Sequence, residues 1–521
     1  MKKTTLALLI ALCLFSLTLK NYEISVKASP TTWIVDDDGS GNFTSIQEAI
    51  NAANPGDTIF VHNGTYYENL VINKSITLVG ENRDHTIING SKIDNVVLIR
   101  ASNVTVKYFT ITMGWGAYYG SGIQVESVSG TVICDNNIND SLRGISVYYS
   151  VNTNVSNNFI NGSYFDGIYL RSSSNNIISN NTVSSNKYGI TFDSSDGNIV
   201  SGNVIYRNDF NGIILFYSKN NVFCNNIINK NNNGITLILS STGNILYRNN
   251  FYSNKQQVYT DSINAWDYDG EGNYWSDYGG CDLVEDGIGD SPYVIDDNNR
   301  DNFPLMGSFY GFNVNYAGEL YQIAVISNAT VSNFNFEVVG EAGNKMIRFN
   351  VSSFEVLIGF CRMTIPAELM GYPYIVLVNG ASVSPAYLNI SELYVRMYLV
   401  CPLENAQVSI ISSETLRLYF EMLTKYDSLN QSYNSLLSDY RTLLENYTLL
   451  QGGLNDLNVS YQQLLENYSM QSQIIQNLVC VVVFSAAVFI VVTVYLSKHA
   501  HARAAPRLKV IKDEEQRSVR A

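Results

Sequence analysis

Two pairs of charged residues stand one repeat length apart: Arg143 with Asp166, 23 residues on, and Arg171 with Asp193, 22 residues on. A guanidinium stacked on a carboxylate can hold an acidic ligand by charge-assisted hydrogen bonds. Two carboxyls ~6.5–9.5 Å apart can hydrolyse a glycosidic bond with inversion. The plain alternative is two surface ion pairs of little energetic value. Tyr148 and Tyr169 lie beside these charges and would offer rings to a sugar. A second group is acidic. Asp282, Glu285, Asp286 and Asp290 surround Gly287, which suits a short calcium loop: hard carboxylates at close spacing with a glycine for the turn. Asp267, Asp269 and Glu271 could form a weaker site. The spacing departs from the EF-hand pattern, and a metal-free acidic lid would read the same way. The insertion Met113–Gly120 carries Trp115, Tyr118 and Tyr119, which would stack on sugar faces or pack over the first repeats.

What must position these residues is a repeat. Ile138, Ile160, Val183, Ile205, Ile228 and Phe251 follow one another at intervals of 22, 23, 22, 23 and 23 residues. Gly-Ile steps from Gly122-Ile123 to Gly234-Ile235 keep the same beat. A fixed period of this length means stacked units that share one core. Within each unit, runs such as Ile168-Tyr169-Leu170 alternate with the period of a strand. No Pro occurs between Pro55 and Pro292, and the Asn/Gly density is too high for helix. The solution is a right-handed parallel β-helix with coils ~4.8 Å apart. Asn136, Asn158, Asn181, Asn203, Asn226 and Asn249 then form an Asn ladder. Cys134 and Cys224 share a column with three serines, four coils or roughly 19 Å apart, too far for a disulfide. If the Ile of each Gly-Ile points inward, Ser146, Tyr148, Tyr169, Arg171, Thr191 and Asp193 point outward. Residues 44–53 read as a short amphipathic helix, N-capped by Thr44, that covers the first coil.

Residues 33–306 resemble the NosD-type, or CASH, β-helix proteins of the pectin-lyase-like superfamily. The resemblance rests on the opening WIVDDDGSGNFTSIQEAINAANPGDTIFVHNGTYYENL and the closing GNYWSDYGGCDLVEDGIGDSPYVIDDNNRDNFPLM. It implies an Arg–carboxylate face able to hold a uronate chain. The adjacent Asp pair and His of galacturonan hydrolases are missing: Asp166 stands alone, and the mature ectodomain has only His62 and His85. The family's role in copper delivery carries over poorly. Copper(I) takes Cys, Met and His, and there is no Met between Met113 and Met306, so no copper is expected.

The flanking segments complete the plan. Residues 1–28 read as a secretory signal, with an uncleaved anchor as the alternative. Residues 310–412 carry several short strands and suggest a β-sandwich, in which Cys361 and Cys401 either pair or remain buried thiols. Across 416–471, Tyr419, Tyr426, Tyr433, Tyr440, Tyr447, Leu454, Tyr461 and Tyr468 are seven residues apart, with Met422, Leu429, Leu436, Leu443, Leu450, Leu457 and Leu464 three residues later, which is a coiled-coil seam and a route to a homo-oligomer. Gly452-Gly453 would form a hinge there, or the tip of a self-folded hairpin. Residues 478–496 are nineteen without a charge, enough to span a membrane, and the basic residues of 497–521 place that tail in the cytoplasm. The fold class is thus an all-β ectodomain, then a helical coiled coil and one transmembrane helix.

The chain carries −14 overall, and the part between signal and tail holds 21 Lys/Arg against 42 Asp/Glu. Such an acidic ectodomain disfavours nucleic acid. Sixteen Asn-X-Ser/Thr sequons occur, of which a fraction would carry glycan. Three roles fit: a cell-surface protein that binds a polysaccharide, stiffened by calcium; a membrane-tethered polysaccharide lyase, hydrolase or epimerase; or a structural spacer of the envelope. Fold alone does not choose among them.

Overall fold

The computed structural model describes residues 29–504, except 116–119, 341–342, 354–357, 403–404, 413 and 461–468. The signal segment, Tyr118, Tyr119 and the tail beyond 504 therefore lie outside the described residues. Two compact units divide at Tyr419.

The first unit opens as a right-handed parallel β-helix of three sheets. Two have ten strands each, and the third has nine, from Leu70–Ile72 to Gln256–Thr260. The core follows the repeat. Ile138, Ile160, Val183, Ile205, Ile228 and Phe251 occupy successive rungs of one sheet, all fully buried. The Gly-Ile residues Ile145, Ile168, Ile190, Ile213 and Ile235 do the same in the nine-stranded sheet. Glycine precedes them because the coils approach closely there: a Cβ on Gly212 would lie 2.7 Å from the Gly234 carbonyl. The serine column between Cys134 and Cys224 is also in register.

Polar side chains also bind coil to coil. In the predicted Asn column, each backbone N–H and side-chain Nδ2 donates to the Oδ1 of the next Asn at 2.9–3.1 Å. Two further ladders run through Asn176, Asn198, Asn221 and Asn244, and through Asn186, Asn208 and Asn231. These amides are buried, so the ladders satisfy groups that would otherwise be orphaned.

Both ends are covered. At the start, helix α1 (Ile46–Ala52) buries Ile46, Ala49 and Ile50. Its N-cap is Ser45, not Thr44, and the carboxylate of Glu68 accepts from the N–H groups of Ile46 and Gln47. A remote Glu thus satisfies the free donors of the first turn. At the far end, Phe251, Trp275 and Tyr293 stack in succession at 4.6 and 4.4 Å. Asp301 receives the last bonds of the first Asn ladder, from Asn273 N–H at 2.7 Å, and Trp275 Nε1 at 2.8 Å. Asn299 ends the second ladder.

Two five-stranded antiparallel sheets follow, from Ser308–Tyr316 to Ala406–Ser412, and share one core. Cys361 and Cys401 are buried there as free thiols on adjacent strands, with Gly359 opposite Cys401.

In the second unit, α2 (Glu414–Ser460) runs straight through Gly452-Gly453, so neither the predicted hinge nor the hairpin tip forms at these glycines. Its leucine seam is open: Leu429, Leu436, Leu443 and Leu450 are 54–66% exposed. Tyr433, on the same stripe, stacks on Phe489 of α3 (Ser469–Ala504). Within α3, Ile475–Ser497 has a mean hydropathy of 2.8 over an unburied window, long and apolar enough to cross a membrane.

Candidate functional site

The outer face of the nine-stranded sheet gathers the predicted charged pairs. Its strands Arg143–Tyr148, Asp166–Arg171 and Tyr188–Asp193 lie side by side in parallel. Arg143 and Asp166 each begin a strand, and Arg171 and Asp193 each end one. Parallel register carries a sequence interval of one coil into direct lateral contact.

The two pairs differ in depth. Arg143 Nε lies 2.8 Å from Asp166 Oδ2, with side chains 16% and 6% exposed. Thr191 donates to the other oxygen of Asp166 at 2.6 Å, and Arg143 donates to the Tyr148 hydroxyl at 2.9 Å. Burial opposes the charge on Arg143, but Asp166, together with the hydroxyls of Tyr148 and Tyr169, raises the guanidinium pKa. Arg171 and Asp193 stand 3.7 Å apart and are far more open, at 49% and 30% exposure. Tyr169 ties the two pairs together. Its hydroxyl donates to Asp193 at 3.1 Å, and Arg143 lies 4.2 Å above its ring.

This arrangement corrects one expectation. Tyr169 points outward, as predicted, but is buried: Arg143 covers its face and Tyr148 meets it edge-on at 5.7 Å. It cannot stack on a sugar. The middle outward column, Ser146, Tyr169, Thr191, Ile214 and Thr236, is buried throughout, so the face is a shallow trough with raised rims. Burial, reinforced by Asp193, pushes the Tyr169 hydroxyl up, so it keeps its proton at neutral pH.

The rims hold the exposed rings. Trp115 is fixed by its Nε1 on the Asp140 carbonyl at 2.8 Å and lies 6.0 Å from Tyr164. Tyr164 and Phe210 are 59% and 47% exposed. Lys187 sits between Phe165 and Phe210, at 5.3 and 5.5 Å. Tyr149 and Tyr217 stand on the opposite rim with positive φ, an unusual backbone for a bulky residue. Of these rim residues, only Trp115 was anticipated from sequence. The signal was present: Phe165, Lys187 and Phe210 fall on the repeat, two residues before Gly167, Gly189 and Gly212.

The acidic closing segment has a different geometry from a cation cage. Asp282 accepts from the N–H groups of Asp286 and Gly287, Asp286 from Ile288, and Asp290 from Leu283. These carboxylates cap their own loop, and Glu285 adopts φ +55. Asp267 accepts from Asn302, and Asp269 sits in a turn at φ +52. Glu271 is a correction to the metal assignment. It pairs with Arg248, with Arg362 at 3.0 Å and with Arg396 at 3.4 Å. Burial works against its charge, yet Arg362, Arg248 and Arg396 hold the carboxyl below the usual range. A cation cannot enter a position already held by three guanidiniums. Among the described residues, no three His, Cys, Asp or Glu gather closely enough to hold a metal ion.

Comparison with known proteins follows the fold. The family model described as "Periplasmic copper-binding protein (NosD)" matches residues 50–280. The chain is 36% identical over 113 residues to a cell surface glycoprotein of Methanothermus fervidus, covering 21% of this chain and 18% of that one. It is 47% identical over 64 residues to a probable ABC transporter binding protein NosD of Pseudomonas aeruginosa, 12% of this chain and 15% of that one. A probable pectinesterase/pectinesterase inhibitor of Arabidopsis thaliana matches at 32% over 120 residues, 21% of each chain. The chain thus spans about a fifth or less of the length of these relatives. Among solved structures, the A-module of the Azotobacter vinelandii mannuronan C-5 epimerase AlgE6 aligns at 19% identity with a TM-score of 0.34, over 42% of this chain and 74% of that one. The shared period, the coil-to-coil register and the family match agree: residues 50–280 form a parallel β-helix that is similar to the NosD family.

Proposed function

We propose that this protein is a membrane-tethered, cell-surface β-helix that binds a polysaccharide along the trough of the nine-stranded sheet without cleaving it. One observation carries the reading. Both carboxylates that could act as acid or base are already engaged, Asp166 by Arg143 and Thr191, and Asp193 by Arg171 and Tyr169. A general acid or base must come within hydrogen-bond reach of the proton it moves, and each of these carboxylates would first have to exchange its present partners for substrate. The rim rings Trp115, Tyr164 and Phe210, with Lys187, supply what a sugar chain needs for retention: apolar faces beside donors. The similarity to a cell surface glycoprotein and to pectinesterases supports a surface setting and a carbohydrate ligand.

The apolar helix Ile475–Ser497 anchors the chain in the membrane, with the β-helix outside and the basic tail inside. The open leucine seam of α2 pairs with a second copy of the chain.

Detergent-solubilised full-length protein incubated with acidic and neutral polysaccharides tests the reading by size-exclusion chromatography. The expected result is intact polymer co-eluting with protein. Shortened polymer would make the protein an enzyme. Intact polymer eluting alone from every mixture would leave the spacer role.

A further inference from the structure

The sequons of the β-helix are zoned, and the zoning coincides with the trough. Between residues 29 and 181 there are 22 Asn, of which nine begin a sequon. Between 182 and 327 there are 24 Asn and no sequon. Asn frequency is therefore the same in both halves, and only the Ser or Thr two residues later is withheld. The zoning also runs around the coil. No sequon Asn lies within any strand of the nine-stranded sheet, whereas Asn89, Asn139, Asn154 and Asn161 lie in strands of the other two.

Accessibility sorts the nine. Asn42, Asn63, Asn73, Asn103 and Asn180 are exposed. Asn89, Asn139, Asn154 and Asn161 are half-buried, and the Oδ1 of Asn154 is enclosed without a hydrogen-bond partner. An oligosaccharide on a carboxamide needs the nitrogen to face solvent and the side chain to extend from the coil.

We infer that Asn42, Asn63, Asn73, Asn103 and Asn180 carry N-linked oligosaccharides, and that the nine-stranded face and the last coils are kept free of them. In the transfer, the carboxamide nitrogen bonds to the anomeric carbon of a lipid-phosphate-linked oligosaccharide. The bond from that carbon to the phosphate oxygen breaks, the lipid phosphate leaves, and the displaced amide proton passes to solvent. The glycans clothe the first half of the β-helix, at turns between its strands. The trough stays open to a long polymer, which a branched glycan on its rim would exclude. This second half of the inference rests on the polysaccharide-binding reading; the occupancy pattern does not.

The test is occupancy by mass spectrometry on the full chain made in a secretory host with an oligosaccharyltransferase, each used Asn marked by enzymatic deglycosylation in heavy-oxygen water. The expected result is marking at the five exposed Asn and none at Asn154. Equal marking of Asn154, or none anywhere, overturns the assignment. Arg171→Asn then creates the sequon Asn-Ser-Ser on the trough, with Arg171→Gln as its unglycosylated control. The glycosylated variant should lose polysaccharide retention relative to the control; equal retention overturns the open-face claim alone. A wild-type chain that retains no polysaccharide sinks the binding reading and leaves the occupancy result standing.

Discussion

The chain contains two one-dimensional repeats that solve opposite problems. The β-helix repeats a polar group, and its partner is the same residue one coil later. Asn203 accepts from Asn181 and donates to Asn226, so each amide is satisfied inside one chain. The helix α2 repeats an apolar group, and nothing in the described residues covers Leu436 or Leu443, which are 58% and 66% exposed. A repeat whose contacts close along its own axis is complete as a monomer. A heptad seam is half of an interface. The comparison teaches that periodicity alone does not tell whether a segment is self-sufficient; the chemistry of the repeated group does.

The sharpest way to break this comparison is Asn203→Leu. It leaves the Asn181 N–H without an acceptor in the interior and takes the Nδ2 donor from the Ile178 carbonyl, while Asn181 Nδ2 keeps the Val155 carbonyl and Asn226 Oδ1 keeps the backbone N–H of residue 203. At ~1–3 kcal/mol for a buried orphan, the loss should be roughly 1–3 kcal/mol. Urea unfolding followed by β-sheet circular dichroism measures it, and a loss below about 1 kcal/mol would reduce the ladder to a by-product of packing.

Leu436→Asp addresses the other repeat. Wild-type protein in detergent should sediment as an oligomer and the variant as a monomer, with the β-helix still folded. If the wild type is already monomeric, the open seam is not a coiled-coil face.

Gly212→Ala comes next. The added methyl would meet the Gly234 carbonyl at 2.7 Å, and the coil must shift to admit it. The expected cost is about 1–3 kcal/mol, as for other overpacked cores. No cost would show that the coil spacing there can relax.

Asp301→Asn sharpens the picture at the ladder's end. Burial, acting against the N–H bonds from Asn273, Trp275 and Phe303, pushes the Asp301 carboxyl up to about 7. A folded-state pKa above the unfolded value means that this group's stabilisation is full below about pH 4 and is lost as pH rises through 7. The Asn variant keeps an acceptor and removes the titration, so the difference in melting temperature between pH 5 and pH 8 should shrink. An unchanged pH dependence would mean that Asp301 does not hold its proton.

Calcium should have the smallest effect. Asp282, Asp286 and Asp290 already accept loop N–H groups, so millimolar calcium should leave the melting temperature unchanged. A saturable rise lost in Asp286→Ala would restore the calcium loop.

The first Asn ladder was legible because one residue type recurs on one beat. The second and third follow the same beat and were overlooked beside the Gly-Ile rhythm. Glu271 shows the opposite limit. Read locally, it belongs with Asp267 and Asp269 as a cation ligand. Its partners are 23, 91 and 125 residues away, two of them in the antiparallel sheets, and no local pattern announces them.

The amino-acid sequence by itself determined the β-helix, its register and the pairing of Arg143 with Asp166 and Arg171 with Asp193. It could do so because in a parallel coil an interval along the chain becomes a contact across it. Only the tertiary structure decided which of those outward residues reach solvent. Tyr164 and Tyr169 are the same residue type five residues apart on one coil, yet Tyr169 lies under a guanidinium and Tyr164 is 59% exposed. Exposure depends on the size of lateral neighbours and on the covers from distant segments, and these the period does not encode.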